Sequence, residues 1–127
     1  MSKSDKVCIT TNRVFVSKGW GFEDWIVNKE EYCGKILFIK KGKRSSWHYH
    51  KKKDETFYVQ SGKLEVIIGW DDRRTPDFTD RIVLEKGDSF HVPILMRHQL
   101  IGLTDVEMFE FSTQHFDEDS IRVIKGD

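Results

Sequence analysis

Apolar residues in this chain alternate with polar ones in short runs that end at glycines or polar turns, and this pattern constrains the fold most strongly. Leu64, Val66 and Ile68, for example, recur at every second position, which is the period of a β-strand. No stretch carries a helical pattern of three turns. A series of short strands divided by turns predicts an all-β chain folded as a sandwich or barrel.

The predicted strands are short and regularly interrupted. They are Arg13–Lys18, Asp24–Asn28, Tyr32–Lys40, Thr56–Gln60, Lys63–Trp70, Arg81–Glu85, Ser89–Val92, Leu100–Gly102 and Glu107–Ser112. Ser61-Gly62 separates the fourth strand from the fifth, and this dipeptide predicts a hairpin. The polar stretch Asp71–Asp80 contains a proline and predicts a flexible insertion.

The length of 127 residues corresponds to one domain. We expect residues 1–12 to form an N-terminal arm that is able to add to the sheet edge of a partner. Residues 113–127 are expected to form a C-terminal tail, acidic at first, with a short helical turn.

The charge balance argues against two classes of partner. Lysines and arginines equal aspartates and glutamates in number, so the formal net charge is zero. A chain without net positive charge gives no general electrostatic reason to bind nucleic acid or an anionic membrane. Two local basic patches are solvated loop charges, or they attract a small anion; they are Lys40, Lys41, Lys43 and Arg44, and Lys51–Lys53.

The N-terminal residues and the cysteines indicate a compartment. The polar start MSKSDKVCIT contains no apolar segment of a signal peptide. No apolar stretch approaches the roughly 20 residues that span a bilayer. Cys8 and Cys33 stand far apart and fit free thiols in a reducing environment. We therefore expect a soluble, cytoplasmic protein.

Two stretches contain residues that commonly bind metal ions. In GKRSSWHYHKKKDETFYVQSG, His48 and His50 lie two residues apart, so a strand presents both imidazoles on one face. A turn at Lys51–Asp54 then brings Glu55 to the start of the next strand. A second stretch, GDSFHVPILMRHQLIG, adds His98. Imidazoles with a carboxylate suit one divalent transition metal, and Mn, Fe, Zn, Ni and Co all stay open.

Both stretches resemble the two sequence motifs of the cupin superfamily. The first matches at every fixed position over 21 residues. The second matches at Gly87, Pro93 and His98 but departs at Leu95 and Gly102, where the family often has glycine and asparagine. The resemblance implies a single cupin domain folded as a double-stranded β-helix, a jelly-roll-like barrel. It also implies that the four residues named above are the metal ligands, with one or two coordination positions open.

The flanks of these motifs are similar to the cupin domain of type II phosphomannose isomerases. Trp20-Gly21 precedes the first motif, and an acidic run followed by Ile121 and Arg122 follows the second, so the likeness covers about residues 18–127. It implies metal-dependent isomerase or epimerase chemistry on a phosphorylated sugar or a related small anionic metabolite. The residues expected to bind the phosphate are Arg44, Lys40 and Arg122.

Other functions stay open at this point. Three histidines and a glutamate also suit an iron-dependent oxygenase, and some cupins keep their ligands and only bind a metabolite. The residues do not identify a catalytic base. Because single-domain cupins commonly pair, we expect a homodimer.

Overall fold

The computed structural model describes residues 13–127, which form strands in two antiparallel sheets and one turn of 3-10 helix. The predicted N-terminal arm, residues 1–12 with Cys8, lies outside the described residues. No described segment forms a helix with the length and apolar character that crossing a membrane requires. The elements are β1 (Val14–Lys18), β2 (Gly21–Asn28), β3 (Cys33–Ile39), β4 (Trp47–Tyr49), β5 (Glu55–Ser61), β6 (Lys63–Gly69), β7 (Asp80–Glu85), β8 (Ser89–Val92), β9 (Arg97–Gly102), β10 (Val106–Ser112), η1 (Asp117–Asp119) and β11 (Ile121–Ile124).

The two sheets have the strand orders β1-β2-β3-β10-β5-β8 and β11-β4-β9-β6-β7. From β3 onward, the chain passes from one sheet to the other after every strand except β6, which pairs with β7. Buried side chains from both sheets, such as Leu37, Phe57, Val66 and Leu100, belong to one core cluster. The predicted all-β barrel is confirmed.

The inward faces of the strands change character along their length. On β3, Leu37 is followed on the same face by the apolar Ile39 in one direction and by Lys35 in the other. Met108 lies opposite Leu37 on β10, and Glu110 lies opposite Lys35. One end of the barrel is therefore filled by apolar side chains, and the other end is lined by charged ones.

The hairpin predicted at Ser61-Gly62 is wrong. Strand β5 pairs with β10 and β8, whereas β6 pairs with β7 and β9 in the other sheet. Both strands bury one apolar face, with Phe57 and Val59 on β5 and Leu64 on β6. These faces pack across the core, so the two strands meet face to face and not edge to edge.

Other elements also differ from the sequence prediction, and β2 begins at Gly21, three residues before the predicted Asp24. Strand β9 begins at Arg97, three residues before the predicted strand Leu100–Gly102, and so includes His98. The predicted C-terminal tail contains the expected helical turn, and also β11, which pairs with β4. The loop 71–80, predicted as a flexible insertion, contacts the five-stranded sheet, because the Trp47 indole and the Arg97 guanidinium both donate hydrogen bonds to Asp72.

Gly62, which connects β5 to β6, should tolerate a side chain less well than Gly87. Gly62 has φ 89°, and an added Cβ would overlap the carbonyl oxygen of Asp105. Gly87 has φ 92°, but no atom lies within 4 Å of the same added Cβ. We expect Gly87→Ala to lower the free energy of unfolding by about 1–2 kcal/mol for the left-handed backbone alone. Gly62→Ala adds about 1–3 kcal/mol for overpacking. Equal losses in urea unfolding would contradict this account.

Candidate metal centre

Three histidines meet at the charged end of the barrel. His48 lies on β4 directly opposite His98 on β9, and His50 follows the end of β4. One ring nitrogen from each residue lies within 4.8 Å of the other two. His98 is fully buried and His50 is 4% exposed. Strand alternation and the β4–β9 pairing therefore build the cluster that the spacing of His48 and His50 predicted.

Each of the three imidazoles is oriented by a backbone carbonyl. In His48, Nδ1 lies 3.0 Å from the carbonyl oxygen of Ser46. In His50, Nδ1 lies 3.1 Å from the carbonyl oxygen of Asp119, and in His98 it lies 3.0 Å from that of Met96. Because a carbonyl only accepts, Nδ1 carries the proton in each ring, and Nε2 is left as the electron-pair donor. This is the usual outer contact of a metal-bound histidine.

Glu55 enters the site from the other sheet, at the start of β5. Its Oε2 lies 3.1 Å from Nε2 of His50. Ligand atoms about 2.0–2.2 Å from a metal ion lie roughly 3 Å apart, so this separation suits two ligands of one ion. Within the described part of the chain, Glu55 Oε2 and His98 Nε2 are buried polar atoms without a hydrogen-bond partner. These two atoms and the donor set fit a divalent transition metal.

The electrostatic surroundings favour the protonation states that bind a metal. Burial and the neighbouring rings of His98 and His50 lower the pKa of His48 well below its ordinary value, and burial also lowers the pKa of His98. Burial alone would raise the pKa of Glu55. The Lys53 ammonium outweighs burial and holds that pKa well below its usual range. His48 and His98 are therefore neutral imidazoles, and Glu55 is an ionised carboxylate.

A series of buried ion pairs extends from Glu55 across the barrel. Lys53 Nζ lies 3.7 Å from Glu55 and 3.0 Å from Glu110. Lys35 Nζ continues the series, 4.0 Å from Glu110 and 3.3 Å from Glu23. Burial lowers the pKa of Lys53, but Glu110 and Glu55 reverse that effect and raise it above its ordinary value. We call these five residues the ion-pair ladder.

Lys53 corrects one sequence interpretation. The sequence predicts that Lys51–Lys53 form a basic patch of solvated loop charges or of charges that attract an anion, but Lys53 is only 3% exposed. Lys53 and Glu55 lie two residues apart, so on an extended chain both side chains point to the same side. This parity was the sequence signal that could have placed Lys53 inside the barrel.

A cavity of about 420 Å³ opens beside His48. Arg122 on β11 lines this cavity, and it pairs with His48 of β4 in the strand register. Among the described residues, no carboxylate forms an ion pair with Arg122. A smaller cavity of about 60 Å³ continues to His50, Glu55 and His98. The two cavities share the lining residues Trp20, Glu23, Ser45, His48, His115 and Ser120.

The other two cations predicted for phosphate binding lie elsewhere. Lys40 and Arg44 are exposed, as Arg122 is, but they lie outside the linings of both cavities. His115 has no partner at ligand spacing in the sequence, yet it lines both cavities. Its Nδ1 accepts a hydrogen bond from Lys53 Nζ at 3.1 Å, and its Nε2 lies 2.9 Å from Asp117.

Comparison with known proteins identifies the family. A model of the cupin domain matches residues 35–112, more than half of the chain, and the chain therefore belongs to this family. No curated protein matches the sequence. The phosphomannose isomerase resemblance receives no specific support.

Solved structures share the fold at low sequence identity. The capsular polysaccharide assembling protein CapF from Staphylococcus aureus has a TM-score of 0.73 and 17% identity over 89% of this chain and 34% of its own. KdgF from Halomonas sp. has a TM-score of 0.69 and 17% identity over 87% of this chain and 94% of its own. Oxalate decarboxylase from Bacillus subtilis has a TM-score of 0.75 and 16% identity over 88% and 30%. This chain thus spans about a third of CapF and of oxalate decarboxylase.

The lowered pKa values of His48 and His98 predict how pH affects the metal-free protein. Below the ordinary histidine pKa of about 6.5, the unfolded chain binds protons that the folded chain excludes. The free energy of unfolding should therefore be largest above about pH 7 and should fall as pH decreases to about 5.5. Urea unfolding in the presence of a chelator measures this slope.

The double substitution His48→Gln and His98→Gln provides the control for that measurement. Glutamine does not titrate, so the slope should become shallower, and the remainder includes His115, whose pKa burial and Lys53 also lower. If the free energy of unfolding depends on pH equally steeply in both proteins, the lowered pKa values of His48 and His98 do not cause the slope.

Proposed function

We propose that this cupin binds one divalent transition metal through His48, His50, Glu55 and His98 and acts on a phosphorylated sugar or a related small anionic metabolite. The observation that carries the proposal is the position of Arg122, which lines the cavity beside His48. An arginine binds a phosphate or carboxylate with two parallel hydrogen bonds. A ligand held there has its other end close to the metal centre.

The charges in the site favour an anionic ligand. The ion-pair ladder contains three carboxylates and two ammonium groups, so it carries one negative charge in excess. The buried Asp119 carboxylate beside His50 adds a second negative charge, so a divalent ion at the histidines balances the buried groups. The exposed Arg122 then adds a positive charge at the mouth. Buried charge is costly unless it is compensated. A small anion would pair with the Arg122 guanidinium at the mouth, whereas a neutral ligand would not.

The proposed chemistry is the exchange of a proton between adjacent carbons of a sugar. When bound, the metal would polarise the carbonyl and hydroxyl oxygens of the substrate. Arg122 would hold the phosphate, and the indoles of Trp20 and Trp25 would form the cavity wall. Proton exchange also requires a base. The candidate base is Glu23, the carboxylate that lines both cavities. Burial alone would raise the pKa of Glu23, but the Lys35 ammonium lowers it below its ordinary value.

Two of the structural neighbours agree with this class of ligand. CapF is described as a capsular polysaccharide assembling protein, and oxalate decarboxylase is named for a small dicarboxylate. We also propose a homodimer in the cytoplasm. Exposed aromatic side chains on strands of the six-stranded sheet support pairing, with Phe15 62% and Phe111 57% exposed.

The metal assignment predicts the composition of the purified protein. We expect about one transition-metal ion per chain when the protein is purified without chelator. The double substitution His48→Ala and His50→Ala removes two ligands and should abolish this content in elemental analysis. His91→Ala is the matched control, because His91 is an exposed histidine that does not belong to the three-histidine cluster. A double variant that keeps stoichiometric metal would disprove the ligand assignment.

The proposed binding of phosphate by Arg122 predicts how one substitution changes KM. With mannose 6-phosphate and a panel of other phosphorylated sugars, Arg122→Ala should raise KM about 10- to 100-fold, since it removes a hydrogen bond between charged groups. Arg44→Ala, which changes an exposed arginine outside the cavity, should leave KM unaltered.

The same assays distinguish the other functions. If the metal-loaded protein leaves every phosphorylated sugar unchanged, the isomerase form of the proposal is wrong. Oxygen consumption with a small-molecule panel would then indicate an iron-dependent oxygenase. A metabolite that stabilises the fold and is recovered unaltered would indicate a binding protein.

A further inference from the structure

The loop 51–54 connects two proposed metal ligands that belong to different sheets. His50 follows β4 of the five-stranded sheet, and Glu55 begins β5 of the six-stranded sheet. Only four residues separate them, and they include no regular element. The loop conformation therefore sets the distance between His50 Nε2 and Glu55 Oε2, which is 3.1 Å.

Asp119 holds this loop from the C-terminal segment. Its Oδ1 accepts hydrogen bonds from the backbone amides of Lys51 and Lys52, each at 3.0 Å. Its Oδ2 accepts from the amides of Lys53 at 3.0 Å and Lys52 at 3.3 Å. The residue is 5% exposed. One buried carboxylate thus binds three consecutive amides that the sheets leave unpaired.

The backbone of the same residue contacts a metal ligand directly. The carbonyl oxygen of Asp119 accepts the hydrogen bond from Nδ1 of His50 at 3.1 Å. This bond selects the tautomer in which Nε2 faces the cluster. The side chain and the backbone of Asp119 therefore act on the loop and on the imidazole at its first end.

We propose that Asp119 is a positioning residue, which fixes the loop 51–54 and thereby the separation of His50 and Glu55 for metal binding. The inference rests on the metal centre of the proposed function, but it does not depend on the substrate. Without the carboxylate, three amides lose their acceptor, and the loop is free to relax. Residues 117–119, expected to be part of a tail, are then an outer part of the metal centre.

The test compares metal binding by the wild-type protein and Asp119→Ala, using Co²⁺ and Zn²⁺ alone as probes. Chelator competition should show affinity about 10- to 100-fold weaker in the variant, the usual effect of losing an outer contact. The visible absorption of the Co²⁺ form should also change, because it reports the geometry of the ligands. Asp119→Asn keeps one oxygen acceptor for two of the amides and should recover part of the affinity.

Two controls separate positioning from general destabilisation. Glu118→Ala removes the same charge from an exposed position on the same turn and should bind both metals like the wild type. Leu84→Ala removes core packing on β7, which is separated from β4 by β9 and β6. It should lower the urea midpoint of the metal-free protein while leaving the Co²⁺ spectrum unchanged.

The outcomes are distinguishable. Wild-type affinity and spectrum in Asp119→Ala would overturn the inference while leaving the metal centre intact. If Leu84→Ala shifts the spectrum and the affinity as much as Asp119→Ala does, the role is merely structural and the inference is also wrong. If Asp119→Ala does not fold, Asp119→Asn is compared with Glu118→Ala instead. Metal affinity and a Co²⁺ spectrum equal to those of the wild type in both variants would then overturn the inference. A wild-type protein that binds neither metal would remove the metal centre and the inference together.

Discussion

The mutual compensation of ionised groups inside one end of the barrel is the interaction on which the rest of this structure depends. Glu55, Glu110 and Glu23 alternate with Lys53 and Lys35, and each ammonium lies within 4.0 Å of two carboxylates. An isolated charge at such depth is strongly destabilising, whereas a paired one is tolerated. The ladder therefore lets the inward face of β3, β5 and β10 remain charged, and it keeps Glu55 ionised beside the histidines.

The same reasoning explains why the apolar core alone does not define the site. Ile39, Val59 and Met108 fill the other end of the barrel, and their alternation with exposed positions specifies which face of each strand is buried. The charged residues continue the same alternation along the same strands. A sheet fixes its register through the buried face, so apolar packing at one end determines where the ionised groups meet at the other.

The sequence predicted the parts of the molecule that local periodicity determines. Two-residue alternation placed most strands, and the spacing of His48 and His50 placed both imidazoles together. Pairings between distant strands were beyond reach, because periodicity does not say which sheet a strand joins. The hairpin at Ser61-Gly62 failed for that reason. The burial of Lys53 and the contacts of Asp119 depend on tertiary structure, since Asp119 is 66 residues from Lys53 along the chain.

The C-terminal segment links the two halves of the proposed function. Asp119 contacts the loop beside His50, and Arg122, three residues later, lies opposite His48 in the β4–β11 register. One short stretch, from the 3-10 turn into β11, thus contacts the loop beside His50 and positions the arginine proposed to bind an anion. A shift of that pairing by one residue would turn Arg122 to the other face of the sheet, because side chains alternate along a strand. In the proposed function, the distance between a metal at the histidines and an anion at Arg122 would therefore depend on this strand register.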